Sequence, residues 1–163
     1  NSNAMPYIKQ FFSGGSNSIR AFLPRTVGPG SYQRPDTASN RVFLDQAGDI
    51  KLEANFEYRF TIISVLKGAL FLDAGNVWLI KKNAELPGGE FRPTQFQKEI
   101  AVGTGVGLRV DVSFFVLRLD LGIPLRKPYL PENEKWVGDN IQFGSRGWRK
   151  DNLVLNIAIG YPF

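Results

Sequence analysis

The stretch "DIKLEANFEYRFTI", Asp49 to Ile62, alternates without a break. Its even positions are Ile50, Leu52, Ala54, Phe56, Tyr58, Phe60 and Ile62; its odd positions are Lys51, Glu53, Asn55, Glu57, Arg59 and Thr61. Successive side chains of a strand point to opposite faces, so this segment reads as a strand with one apolar and one polar face. It is more than twice the usual strand length of about 5–6 residues.

The pattern recurs in four further segments. "LKGALFLDAGNVWLI", Leu66 to Ile80, has an even face running from Leu66 through Leu70 and Leu72 to Trp78, with Lys67 and Asp73 on the odd face. "KEIAVGTGVGLRVDV" carries Val102, Val106, Leu108 and Val110 on one side and Ala101, Gly103, Gly105, Gly107, Arg109 and Asp111 on the other. In "FFVLRLDLGIPL" the odd positions Phe115 to Leu125 are all apolar, while Arg118, Asp120, Gly122 and Pro124 alternate with them. "NLVLNIAIGYPF", Asn152 to Phe163, sets Leu153, Leu155, Ile157, Ile159, Tyr161 and Phe163 against Asn156, Ala158 and Gly160.

The connections alternate long and short. Residues 13–49, 81–98 and 127–150 are long and irregular, whereas 63–65 and 111–114 are tight turns. In an antiparallel meander all the long loops then fall at one end of the sheet. Connections that long are uncommon in compact domains and are usually functional or disordered.

Two architectures share this alternation. A soluble sandwich or barrel turns its apolar face inward; a transmembrane β-barrel turns it to lipid and lines its interior with the polar face. Four features favour the membrane form. The strands exceed the about 9–11 residues that a tilted span requires. Short turns at one end and long loops at the other are the outer-membrane pattern. Tyr58, Phe60, Trp78, Phe115, Tyr161 and Phe163 stand near strand ends on the apolar face, where interfacial girdles form. Finally, residues 101–107 put an alanine and three glycines on the polar face, which suits a crowded interior better than a solvent face. Five strands cannot close such a barrel, since the smallest have about eight. The expectation is a piece of a larger barrel, or several copies sharing a sheet, with unpaired edge strands through which an isolated piece self-associates.

Composition narrows the chemistry. The 163 residues suit one domain and include 13 Phe, 5 Tyr, 3 Trp, 17 Gly and 10 Pro, with no Cys and no His. Disulfides and thiolate metal sites are excluded, and the commonest general base is missing, so neither a metal centre nor a catalytic site is expected. The net charge is +5, but the basic residues are scattered, with no group larger than those at Lys81–Lys82 and Arg146–Lys150, so nucleic acid is not an expected partner. No run of apolar residues is long enough for a transmembrane helix. Residues 1–4 read as a tag remnant, 5–12 as the end of a preceding strand, 13–49 as a long loop, and 50–163 as the five-stranded unit.

Several spaced motifs resemble one family. "SNSIRAF", with Arg20, is similar to the arginine-glycine-aromatic motif in the long sixth loop of the outer-membrane assembly superfamily, the BamA/TamA-type bacterial surface antigen family. "GDIKLEANFEYRF" resembles its next strand, which carries an inward glutamate; "GALFLDAGNVW" resembles the strand with a phenylalanine-x-aspartate-x-glycine pattern, here Phe71, Asp73 and Gly75. "GTGVGLRVD" and "LRLDLGIPL" resemble the following two, and "LNIAIGYPF" the last strand, which ends on an aromatic residue.

The resemblance implies the final five strands of a sixteen-stranded transmembrane barrel in the bacterial outer membrane. Arg20 would fold back into the lumen and pair with Asp73 on the barrel wall, with Glu53 a second acidic group nearby and Phe22, Phe71 and Gly75 supporting the motif. Glu53 and Asp73 share the polar parity, as such a pairing requires. The family glycine after the arginine is replaced by Ala21, which would be strained if that position needed a positive φ. Gly160, Tyr161 and Phe163 would form the seam and the C-terminal recognition signal. The implied function is non-enzymatic insertion or translocation of client outer-membrane proteins or lipoproteins, without cofactor, with lipid, clients and accessory proteins bound through N-terminal domains as partners. A two-partner secretion transporter of the same fold and a soluble ligand-binding β-barrel are the other readings.

Overall fold

The computed structural model describes residues 9–33 and 46–160. The tag-remnant reading of residues 1–4, the start of the expected preceding strand, residues 34–45 of the long loop, and Tyr161, Pro162 and Phe163 lie outside the described residues.

Two short strands, β1 (Phe11–Phe12) and β2 (Ala47–Gly48), pair antiparallel at the base of the loop. The main sheet contains β3 (Ile50–Ile63), β4 (Leu66–Trp78), β5 (Ala101–Val112), β6 (Phe115–Arg126) and β7 (Val154–Gly160), in the order β3-β4-β5-β6-β7. Every neighbouring pair is antiparallel, so the sheet is a meander with β3 and β7 at its described edges. The turns after β3 and β5 lie at one end, and the long connections after β4 and β6 lie at the other.

The two faces are buried in the inverse of a soluble protein's pattern. Phe56, Tyr58, Leu70, Leu72, Val106, Leu155 and Ile157, all of the apolar parity, are exposed. The opposite parity is buried: Phe71, Asp73, Arg109, Asp120 and Asn156 are at most 8% exposed. A water-soluble sheet would spend its hydrophobic effect by hiding the first set. An apolar band this continuous requires lipid around it.

What buries the polar face is the loop before β2. Ile19, Ala21, Phe22 and Val27 form a small apolar cluster with Ala101 on the concave side of the sheet. Gly28, at φ +87°, crosses so close to β4 that a side chain there would collide with Asn76 and Val77. Gly30 N–H then donates to the Val77 carbonyl (2.8 Å), and Asn76 Nδ2 donates to the Gly30 carbonyl (2.8 Å). These bonds fasten the loop's descending limb to the long-loop end of β4.

Two features differ from the pattern read in the sequence. Trp78 does not stand in an exposed girdle. It is fully buried, with Phe91 and Phe96 edge-on at 5.6 and 6.3 Å and its Nε1 donating to Glu99 at 2.7 Å. The 81–98 connection closes over the end of β4, which parity cannot foretell. The last strand also starts later than Asn152, because a helix, α1 (Arg146–Asn152), occupies the preceding residues. Ser145 caps it by accepting from the Trp148 N–H, which satisfies one of the free donors of the first turn.

Candidate functional site

The site is built from one loop and the buried face of the sheet. In β4, alternation sends Phe71, Asp73 and Gly75 inward together. The tight hairpin to β3 sets the register, with Asn55 opposite Asp73, Glu57 opposite Phe71 and Glu53 opposite Gly75. A side chain at Gly75 would strike the Leu52 carbonyl and the Glu53 side chain, so the glycine gives Glu53 its room.

Arg20 reaches this wall from the loop. Its Nε and Nη2 donate to the two carboxylate oxygens of Asp73, each at 2.8 Å, and its own backbone N–H donates to Asp73 at 3.0 Å. Asn55 Nδ2 adds a fourth bond to Asp73 at 2.9 Å. The guanidinium carbon lies 3.8 Å from the centre of the Phe71 ring, a cation–π contact. Nη1 donates to Glu57. Arg20 is 4% exposed and Asp73 0%. Isolated charges at such burial would be costly; here each is paired and held by several hydrogen bonds, which is the condition for retaining them. The two-pronged geometry fixes direction as well as distance.

Glu53 does not touch Arg20. It accepts from the hydroxyls of Ser13 (2.6 Å) and Ser18, and pairs with Lys51 at 3.0 Å. It therefore holds the ascending limb of the loop, while Asn55 Nδ2 also donates to the Ser18 carbonyl at 2.8 Å. Across the sheet, Asn156 Nδ2 of β7 donates to the Arg20 carbonyl at 2.7 Å. The loop tip is thus tied to β3, β4 and β7 at once.

The residue at the family's glycine position makes a close fit. The positive-φ residues other than glycine are Arg25 and Ser113 among the described residues, so Ala21 carries no left-handed strain. Its methyl sits over Gly103 of β5, where a side chain would collide with it, and a side chain at Gly122 of β6 would meet the backbone of Arg20 and Ala21. Phe22 follows, 7% exposed, with its carbonyl accepting from the Gly15 N–H at 2.9 Å. Gly103 of β5 and Gly122 of β6 are therefore the bed on which the loop tip lies.

Beyond the clamp a ladder of charge continues along the wall. Arg109 of β5 bridges Glu57 (2.9 Å) and Asp120 of β6 (2.5 Å). Arg118, opposite Arg109 in the β5–β6 register, reaches Asp120 at 3.4 Å and the Ser16 carbonyl at 3.3 Å. Two facing arginines repel; Asp120 between them offsets this. Arg59 pairs with Glu57 at 2.6 Å.

Glu57 and Asn55 were not singled out in the sequence, although both carry the inward parity. The signal was available in the hairpin: a tight turn after β3 places them beside Phe71 and Asp73. Gly160, expected at a seam, pairs with Val116 of β6 at the end of β7.

A wall whose apolar side faces outward, with a charged loop clamped to its inner side, defines an outer-membrane-type β-barrel with an occupied lumen. The chain belongs to the Omp85 superfamily: the model of the Omp85 superfamily domain matches residues 1–145. Among solved structures it is similar in fold to CdiB from Acinetobacter baumannii, with a TM-score of 0.51 and 18% identity, over 98% of this chain and 21% of that one. The chain thus spans about a fifth of that protein's length. No curated protein sequence matches it. Omp85 proteins are transporters or insertases that work with client proteins and accessory partners.

Proposed function

We propose that this chain forms part of the barrel wall of a bacterial outer-membrane assembly factor, which inserts or translocates client β-barrel proteins or lipoproteins without covalent chemistry. The carrying observation is the clamp of Arg20 on Asp73 and Glu57. It fixes the tip of a glycine-containing loop on the inner side of the wall by charge pairing, alongside the hydrogen bonds of Ser13, Ser18, Asn55 and Asn156. Such a contact is strong when closed, yet it can be exchanged for other ionic partners without breaking a covalent bond. Arg20, Asp73 and Glu57 anchor the loop in this reading, Glu53 holds its ascending limb, and Phe22, Phe71 and Gly75 shape its seat. Gly160, Tyr161 and Phe163 contribute to the seam and to the signal at the end of the last strand. The accessory partners bind through domains N-terminal to this chain.

The test uses the full-length protein in proteoliposomes with an unfolded β-barrel client. Arg20→Ala and Asp73→Ala should each slow client insertion about tenfold or more while the barrel itself remains folded. Undiminished insertion by both variants would overturn the reading. The fold fits a two-partner secretion transporter equally; in that case the same variants would impair export of a soluble partner and leave client insertion absent even in the unmodified protein.

A further inference from the structure

Helix α1 stands at the long-loop end, immediately before β7, and its surface is sharply divided. Arg146, Arg149 and Lys150 fall at i, i+3 and i+4, so they share one stripe. All three are exposed, and the adjacent Asp151 lies off the stripe. Arg149 donates once to the Phe143 carbonyl (2.5 Å) and is otherwise exposed. Trp148 points the other way and packs edge-on against Phe143, ring centres 5.2 Å apart. Phe143 and Ile141 are themselves 53% and 40% exposed.

The height of this helix matters as much as its charge. The outward apolar row of β7 begins at Leu155, which is 64% exposed and continues through Ile157 and Ile159. Three residue steps of extended chain, about 10 Å, lead from the end of α1 at Asn152 to Leu155. The hydrocarbon core of a bilayer is about 30 Å thick, and its polar layers add about 5–8 Å on each side. A helix one such step above the first lipid-facing leucine lies at headgroup level. Cations on one face and a Trp–Phe pair on the other are the composition of a segment that lies in an interface.

We propose that α1 is a docking surface for phosphate-bearing lipid headgroups of the leaflet at the long-loop end. Arg146, Arg149 and Lys150 hold the phosphates, and Phe143 and Trp148 seat the helix in the interface. Charge complementarity and continuity with the exposed apolar band select lipid over a soluble anion. An acidic protein segment would match the charge but has no use for the adjoining apolar row. The surface is separate from the Arg20 clamp and serves an assembly factor or a secretion transporter alike.

The experiment reconstitutes the full-length protein in phosphatidylcholine nanodiscs and titrates in a fluorescent lipid A, which carries phosphate groups. The triple variant Arg146→Gln/Arg149→Gln/Lys150→Gln is compared with the unmodified protein and with Lys150→Gln alone. Each cation near a membrane surface contributes about a fivefold factor, so Lys150→Gln should weaken retention about fivefold and the triple variant about a hundredfold, with a shallower salt dependence. Heat-modifiable gel migration reports that each barrel is folded. Equal retention by the unmodified protein and the triple variant at low salt, where screening is weak, overturns the proposal. Displacement of the lipid by a soluble acidic peptide at equal phosphate or carboxylate concentration overturns it too, in favour of a protein partner.

Discussion

The guanidinium of Arg20 meets the carboxylate of Asp73 through two parallel hydrogen bonds of 2.8 Å, across 53 residues of sequence. One residue belongs to a loop with almost no regular structure, the other to the middle of a long strand. Their pairing converts a loop into a lining of the wall.

Because the two charges are buried and satisfy one another, removing either strands the other. Arg20→Ala and Asp73→Ala should each cost about 3–5 kcal/mol of loop docking, and the double variant little more than either single one. The chain has no cysteine, so Ala21→Cys, 2% exposed when docked, reports release through its maleimide labelling rate in the full-length protein. Additive losses in the double variant would exclude a direct pair. Arg20→Lys should resemble Arg20→Ala more than the unmodified protein, since an ammonium cannot form the two-pronged contact.

Glu57 and Glu53 lie on the same strand face with Asn55 between them but hold different things. Glu57→Gln removes a charge that Arg20, Arg59 and Arg109 share, and should raise labelling at Ala21→Cys strongly. Glu53→Gln leaves the Arg20 clamp in place, weakens the Ser13 and Ser18 bonds and removes the ion pair with Lys51. Its effect should appear as faster hydrogen exchange over residues 13–18, with little change at the loop tip.

The fit of Ala21 over Gly103 and Gly122 is steric. Gly122→Val should expel the tip, because its Cβ would meet the backbone of Arg20 and Ala21; the expected cost is about 1–3 kcal/mol. Ala21→Gly should leave docking close to normal. Crosslinking between the loop tip and β5 separates the two outcomes.

The inverted burial makes an opposite prediction for the outer face. Leu72 is 46% exposed, and in a soluble protein Leu72→Arg would be nearly neutral. In a bilayer it should destabilise the barrel by about 2–4 kcal/mol if it lies near the midplane. Denaturant titration in lipid vesicles measures the difference.

Glu99 gives a pH dependence at the rim. Burial pushes its carboxyl above the ordinary value, only partly offset by the Trp78 N–H and by Arg92 and Lys135. A raised folded value means that the folded state holds the proton more tightly than the unfolded one. Glu99 therefore favours the closed rim at pH below the ordinary carboxylate range, and that contribution falls as pH rises through its folded value. Glu99→Gln keeps an acceptor for Trp78 and should flatten the pH dependence of hydrogen exchange over residues 81–98.

Parity alone separated the two faces of all five strands, and loop lengths ordered the two ends, because a strand's period of two is imposed locally by backbone geometry. Parity also put Asp73, Glu53 and the glycines of β5 on one side. It could not show that Trp78 would be roofed by Phe91 and Phe96, nor that residues 146–152 would form a helix, because both depend on which distant or capping groups meet them. Nor could it choose between Glu53 and Glu57, since both carry the same parity and only register tells which stands beside Phe71.

The sequence by itself thus determined a long-stranded meander with an apolar and a polar face, and a motif carrying Arg20 in the loop ahead of it. Only the tertiary structure decided which face is covered. It placed the loop on the polar side, left the apolar side bare, and delivered Arg20 to Asp73 and Glu57. The physical reason is that alternation is a property of neighbouring residues, whereas burial and charge pairing are properties of chain segments that meet from far apart.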